Sequence, residues 1–286
     1  FPKMLQKIKK GVRKMKKIVL LLSFVMITVL CLSGEAKAAN LKFAVVTNDA
    51  IGDRGFVDMA YEGIKKAAEE FGIEYKVLEC HANPSIYYDT LSAAASQYDV
   101  IFVLPGYFFD KELERVIKEY PGKKYIYMDG TTELPGVASV IFKQNEGAFL
   151  AGVLAALLTS DTSVDRINSE KKVGFIGGAD MPVIRDYQKG FQHGVRYADP
   201  DVEVIARYVG DHYDPAKGKQ TAYMIYKMGA DVIFQAAGPT GLGVLEAAET
   251  YGFYAIGVDT DQGYLHPGSV VSSMLKRVDV AVYKVV

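Results

Sequence analysis

From residue 41 onward, short apolar runs alternate with stretches of helical length, and this alternation limits the fold more than any other feature of the chain. Residues 41–47 read as a strand, because the run is short, apolar and followed by the turn-prone pair Asn48-Asp49. Residues 57–71 read as a helix, with Ala60, Ile64, Ala67, Ala68 and Phe71 on one stripe. The unit repeats as strand 74–80, helix 87–97, strand 100–104, helix 111–119 and strand 124–128. A strand at 137–142 then leads into a helix at 146–159.

Residues 160–171 are polar and turn-rich, and a second series follows them. It comprises strand 173–176, helix 182–197, strand 202–208, helix 215–228, strand 232–235, helix 241–251 and strand 254–258. Strands of continuous apolar residues separated by such helices predict parallel sheets covered on both faces. The break at 160–171 predicts an α/β chain of two doubly wound lobes. Ligands of such sheets sit beyond the carboxyl ends of the strands. The loops to watch are therefore 47–56, 104–109, 128–131, 177–182, 210–214, 236–243 and 259–263.

Charge sharpens the picture. The formal net charge of −1 combines 33 Lys and Arg with 34 Asp and Glu. Nine of the basic residues and only Glu35 of the acids fall in residues 1–38, which leaves 24 basic against 33 acidic residues, a net of −9, in the remainder. An acidic body argues against nucleic acid as a partner. The basic start runs into the apolar residues 18–32 and then Ala36-Lys37-Ala38, the three parts of a secretory signal peptide over residues 1–38. Fifteen apolar residues fall short of the roughly 20 a bilayer needs. Cys31 offers a second option, a lipid-modified cysteine, although Leu30 stands where a small residue is favoured. After either cut Cys80 has no partner, so no disulfide framework is expected.

Signatures of catalysis and metal binding are absent: there is no Gly-x-Ser-x-Gly elbow, no His-Glu-x-x-His and no metal-spaced cysteine pair. No catalytic residue, metal site or cofactor is assigned. The histidines are scattered, and His212, beside Tyr213, is the one best placed to reach a cleft.

Gly52-Asp53-Arg54-Gly55-Phe56 followed by Ala60-Tyr61-Glu62-Gly63 resembles the opening motif of the basic membrane protein family, substrate-binding components of ABC importers that include purine-nucleoside receptors. Further likenesses run in order: Asn145–Gly152 (NEGAFLAG), Val173–Gly178 (VGFIGG) with Gly190-Phe191, Ala230–Phe234 (ADVIF) with Ala237–Gly243 (AGPTGLG), Gly257–Gln262 (GVDTDQ) and Ser272–Arg277 (SSMLKR). The resemblance covers residues 41–286. It implies a type I periplasmic-binding-protein fold whose chain crosses between lobes three times, near residues 143–145, 261–272 and 274–277. Lobe 1 is then 39–143 plus 277–286, and lobe 2 is 144–276. It also implies roughly fifty further residues completing lobe 1 after a helix beginning near Val278.

The resemblance further suggests which residues meet a ligand. Phe56 and Tyr213, one from each lobe, offer flat faces for a base, the alternative for Phe56 being a core position at a helix start. Asp259 and Asp261 follow a strand and place carboxylates for a vicinal diol, unless one of them caps a turn. Lys276 is implied as a ligand contact or as partner to these carboxylates. Asp129 is an acidic contact or an Asx-turn with Gly130. Gly238 opens a glycine-rich segment whose N–H groups face a ligand or simply allow tight packing. Two departures stand out: Thr47 replaces the Asp common in the nucleoside receptors, and Val57 the Asn after the aromatic. Asn48 or Asp49 is then the substitute acceptor. The expected protein is an exported, monomeric solute-binding protein that closes on a nucleoside-like molecule and delivers it to an ABC permease. The alternatives are a sensor that presents ligand to a membrane receptor, a nucleoside- or sugar-processing enzyme on the same frame, and a transcription regulator of the same fold.

Overall fold

The computed structural model describes residues 41–286; the expected signal peptide and Cys31 lie outside the described residues. Among the described residues ten strands form two sheets of five, every pairing parallel. The first contains β1 (Lys42–Thr47), β2 (Glu74–Glu79), β3 (Val100–Leu104), β4 (Lys124–Met128) and β5 (Val137–Val140), in the order β2-β1-β3-β4-β5. The second contains β6 (Lys172–Gly177), β7 (Glu203–Tyr208), β8 (Ala230–Ala236), β9 (Tyr254–Asp259) and β10 (Val270–Leu275), in the order β10-β9-β8-β6-β7. Counted from its own first strand, each sheet has the same order, 2-1-3-4-5.

The central strands show why the apolar runs are continuous. β3 and β8 are buried along their whole length, because helices cover both faces. The edge strands β2 and β5 have only exposed and half-buried positions, and β7 and β10 mix exposed with buried ones. Four apolar clusters form the core, one on each face of each sheet.

Among the described residues eight α-helices complete the lobes: α1 (Phe56–Phe71), α2 (Tyr87–Gln97), α3 (Asp110–Glu119), α4 (Gln144–Thr159), α5 (Pro182–Ala198), α6 (Pro215–Lys227), α7 (Pro239–Tyr251) and α8 (Val278–Val285). Their ends follow local chemistry. Gly72 closes α1 in the left-handed region at φ +66°, and its N–H bonds the Ala68 carbonyl. Asp214 caps α6 by accepting from the Lys217 N–H, ahead of a proline at the first turn.

The chain passes between the sheets twice. After β5, residues 141–143 carry it to α4, which packs on α5 against the second sheet. Glycines allow that packing: a methyl at Gly152 would strike the Phe191 carbonyl, and one at Gly194 the Phe149 carbonyl. After β10, residues 276–277 return it to the first lobe, where Val278 and Val282 of α8 join the cluster of Phe43 and Ile64. A methyl at Gly63 of α1 would collide with the Asp279 carbonyl, so this contact is equally close. One expected crossing is corrected. Residues 261–269 join β9 to β10 within one sheet, so the segment near 261–272 does not cross between lobes.

Candidate functional site

A cleft lined by side chains of both lobes lies at the carboxyl ends of both sheets. Asn48, Asp49, Phe56, Asp129, Tyr213, Gly238, Asp259 and Lys276 all line it. Asp261 does not. It is exposed, and its Oδ1 accepts from the Gly263 N–H at 3.0 Å, so it closes a turn and has no place in the cleft.

In the cleft wall stands Lys276, 3% exposed, with its Nζ 2.5 Å from Asp129 Oδ1. The same ammonium lies 5.3 Å from the Phe56 ring centroid, 5.0 Å from that of Phe142 and 5.3 Å from that of Tyr187. Backbone geometry places the carboxylates. Asp129 follows β4 and Asp259 ends β9, the fourth strands of their sheets, and both adopt left-handed conformations at φ +69° and +67°. The Lys276 N–H bonds the Asp259 carbonyl at 2.9 Å, which fixes β10's exit beside that turn.

Burial governs the charges. Desolvation pushes the Asp259 carboxyl up to about 7; Lys276 opposes the rise, while the negative charges of Asp53 and Asp129 add to it. The Tyr187 hydroxyl lies 3.5 Å from Asp259 Oδ1, long for a hydrogen bond. Asp129 is also raised by burial, against the pull of Lys276. Asp53 reaches about 6, because burial outweighs the three backbone N–H groups, of Gly55, Val57 and Asp58, that bond it at 2.9–3.0 Å. Asp49 is raised by burial as well.

The aromatic walls come from both lobes: Phe56, Tyr107 and Phe108 from the first, Tyr187 and Tyr213 from the second. Contacts also span the lobes. Asn48 Nδ2 donates to the Tyr213 hydroxyl. Gln262 Nε2 donates to the Arg54 carbonyl at 3.0 Å, and Phe108 meets the His212 ring edge-on at 6.3 Å. His212 is held neutral by burial, and its Nε2 has no partner.

Sequence reasoning passed over Asp53, Tyr107 and Tyr187. Asp53 and Tyr107 sit in loops singled out by the strand ends, whereas Tyr187 projects from the second turn of α5 and carries no local signal. The glycine-rich segment divides its roles. Gly238, at φ +57°, starts α7 in the cleft wall, while Gly243 lets α7 approach the Pro215 carbonyl of α6.

Two parallel-sheet lobes around a cleft give the fold of the periplasmic-binding-protein-like solute-binding proteins. The chain belongs to the Bmp family, ABC transporter substrate-binding proteins described as PnrA-like, whose profile matches residues 40–286. It is 32% identical over 272 residues to basic membrane protein A2 of Borrelia garinii subsp. bavariensis, covering 92% of this chain and 77% of that one. It is 33% identical over 264 residues to the CD4+ T-cell-stimulating antigen of Listeria monocytogenes, covering 84% and 71%. Among solved structures, a solute-binding protein of an ABC transporter system from Aeropyrum pernix K1 superposes with a TM-score of 0.77 at 32% identity, covering 85% of this chain and 69% of that one. A carbohydrate transporter solute-binding protein from Agrobacterium radiobacter, solved with D-arabinose, shares the fold at 17% identity and a TM-score of 0.68, covering 86% of each chain. The family is one of binding proteins, not enzymes. Among the described residues no helix is long and apolar enough to cross a membrane.

Proposed function

We propose that this chain is an exported, monomeric receptor that closes on a nucleoside-like molecule and delivers it to a membrane permease. The observation that carries this reading is a single cleft lined both by buried acids with a lysine and by aromatic rings from the two lobes. Asp129, Asp259 and Lys276 supply buried acceptors and a donor suited to vicinal hydroxyls. Phe56 and Tyr213 approach from different lobes and supply flat apolar faces for a base. Asn48, Asp49 and the backbone around Gly238 replace the acceptor that Thr47 does not provide. A free sugar would leave the aromatic faces without a partner.

The Asn48–Tyr213 and Gln262–Arg54 bonds exist only when the lobes meet, so they favour the closed form weakly, and ligand adds the larger preference. The test is calorimetric titration with adenosine, guanosine, inosine, cytidine, ribose and arabinose. The reading expects binding of at least one nucleoside and its loss in Asp259→Ala. Binding of a free pentose with no response to any nucleoside would overturn it.

A further inference from the structure

Two of the non-glycine residues held in the left-handed region sit on opposite lobes: Arg54 at φ +53°, just ahead of α1, and Asp259 at φ +67°, at the end of β9. Such conformations persist where the surroundings over-determine them. One side chain joins the two. Gln262, 2% exposed, follows Asp259 by three residues, and its Nε2 donates to the Arg54 carbonyl at 3.0 Å.

The rest of Gln262 is fixed within the second lobe. Its Oε1 accepts from the Val258 N–H and from Gln235 Nε2, both at 3.0 Å, and its own N–H donates to Ser273 Oγ at 3.0 Å. The Val258 N–H requires an acceptor, so the oxygen of the amide faces it and the nitrogen faces Arg54. A methyl at Gly257 would come within 2.7 Å of Gln262 Oε1, so β9 leaves room for this side chain. In the first lobe, the Arg54 N–H bonds Asp58 Oδ2 at 3.0 Å, which anchors Arg54 to the first turn of α1, where Phe56 stands. Phe56, Val258 and Asp259 line the cleft, and Gln262 lies behind them.

We infer that Gln262 is a positioning residue for ligand capture: it ties the Asp259 turn to the loop that presents Phe56, so the lobes latch when that turn holds its ligand-facing form. The inference rests on the closure reading above and adds to it the group that links the ligand's acceptor to the opposite lobe. A bond made only after the lobes meet slows release and leaves capture unchanged.

The experiment measures association and release of adenosine, guanosine, inosine and cytidine by surface plasmon resonance, in the parent, Gln262→Met and Gln262→Glu. Gln262→Met removes every bond of the side-chain amide and should speed release about tenfold, the worth of one hydrogen bond, with association unchanged. Gln262→Glu keeps the acceptor for Val258 and Gln235. Ionised, it turns an oxygen toward the Arg54 carbonyl; protonated, its O–H donates there. Its release should therefore be faster than the parent's at pH 8 and approach it at pH 5. Each comparison is made at one pH, because Asp53 and Asp259 titrate in both proteins. Parent-like release in Gln262→Met overturns the inference, and so does a loss in Gln262→Glu that persists unchanged at pH 5, which would mark a brace of its own lobe. If Gln262→Met does not fold, Gln262→Glu carries the test, its melting curve checked at both pH values. If the parent binds no nucleoside, the nucleoside reading falls and the latch is read without ligand by small-angle X-ray scattering at pH 8. There, Gln262→Glu less compact than the parent upholds the latch, and equal dimensions overturn it.

Discussion

The two lobes use one backbone device twice and finish it differently. Each sheet has the order 2-1-3-4-5, and each ends its fourth strand in a buried aspartate with positive φ, Asp129 in one and Asp259 in the other. Asp129 is matched inside the protein, since Lys276 Nζ lies 2.5 Å from it. Asp259 has only the long contact from Tyr187, and its carboxyl is raised to about 7. One carboxylate is therefore satisfied when the fold forms, and the other is left short of donors in the free protein. A site that meets one acid and withholds donors from the other gains most from a ligand that brings them.

Lys276→Met breaks this comparison most severely. It leaves the buried Asp129 carboxylate without its cation and removes the charge opposing the rise at Asp259. A loss of about 3–5 kcal/mol is expected at pH 8, read by urea denaturation. The loss should shrink on acidification, as the carboxyls protonate. A variant as stable as the parent at pH 8 would show that the pair contributes nothing.

Asp129→Asn and Asp259→Asn should then act with opposite signs. The first strands a buried ammonium with no carboxylate within 4.0 Å and should cost about 3 kcal/mol. The second breaks no ion pair and removes a poorly solvated charge. Because the folded pKa of about 7 lies above the ordinary 3.8, the folded state holds this proton more tightly than the unfolded chain does. Asp259 thus makes the unliganded protein less stable as pH rises from about 4 to about 7, with no further change above. Asp259→Asn should melt higher than the parent at pH 8, by about 1 kcal/mol after allowance for relaxation, and the gain should vanish near pH 4. Equal destabilisation by both variants at pH 8 would erase the distinction between the lobes.

Much of this frame was legible in the sequence, for physical reasons. A strand covered on both faces must be apolar throughout, so β1, β3, β4, β6, β8 and β9 stand out as runs. β10 does not, because it lies at an edge and Ser272-Ser273 interrupts it. The expected crossing near 261–272 came from the family resemblance and from no local pattern. The family motifs point to two kinds of physics that sequence alone does not separate. Asp259 and Lys276 line the cleft, whereas Gly152 and Gly190 let α4 and α5 touch backbone to backbone. Tyr187 joins the cleft through folding across long sequence separations, which no local pattern encodes, whereas His212, expected beside Tyr213, lines it as read.

A smaller effect is expected from Tyr213→Phe. The hydroxyl it removes joins β7's loop to Asn48 beyond β1, so its loss loosens closure without emptying the aromatic wall. A drop in nucleoside affinity of about three- to tenfold is expected by calorimetry, the worth of one hydrogen bond. Unchanged affinity would mean that this bond does not favour closure.

The smallest effect belongs to the acid that the motif pairs with Asp259. After Asp259 turns through positive φ, the Thr260 N–H bonds back to the Val258 carbonyl at 2.8 Å, and the chain reverses. The reversal sends Gln262 inward, where its Oε1 accepts from the Val258 N–H and from Gln235 Nε2, and it leaves Asp261 in solvent with its carboxylate on the Gly263 N–H. Asp261→Ala should therefore cost about 0.5 kcal/mol in stability and change nucleoside affinity less than about twofold, while Asp259→Ala abolishes binding. A tenfold loss of affinity in Asp261→Ala would mean that the loop rearranges around ligand and that both acids of the motif reach it.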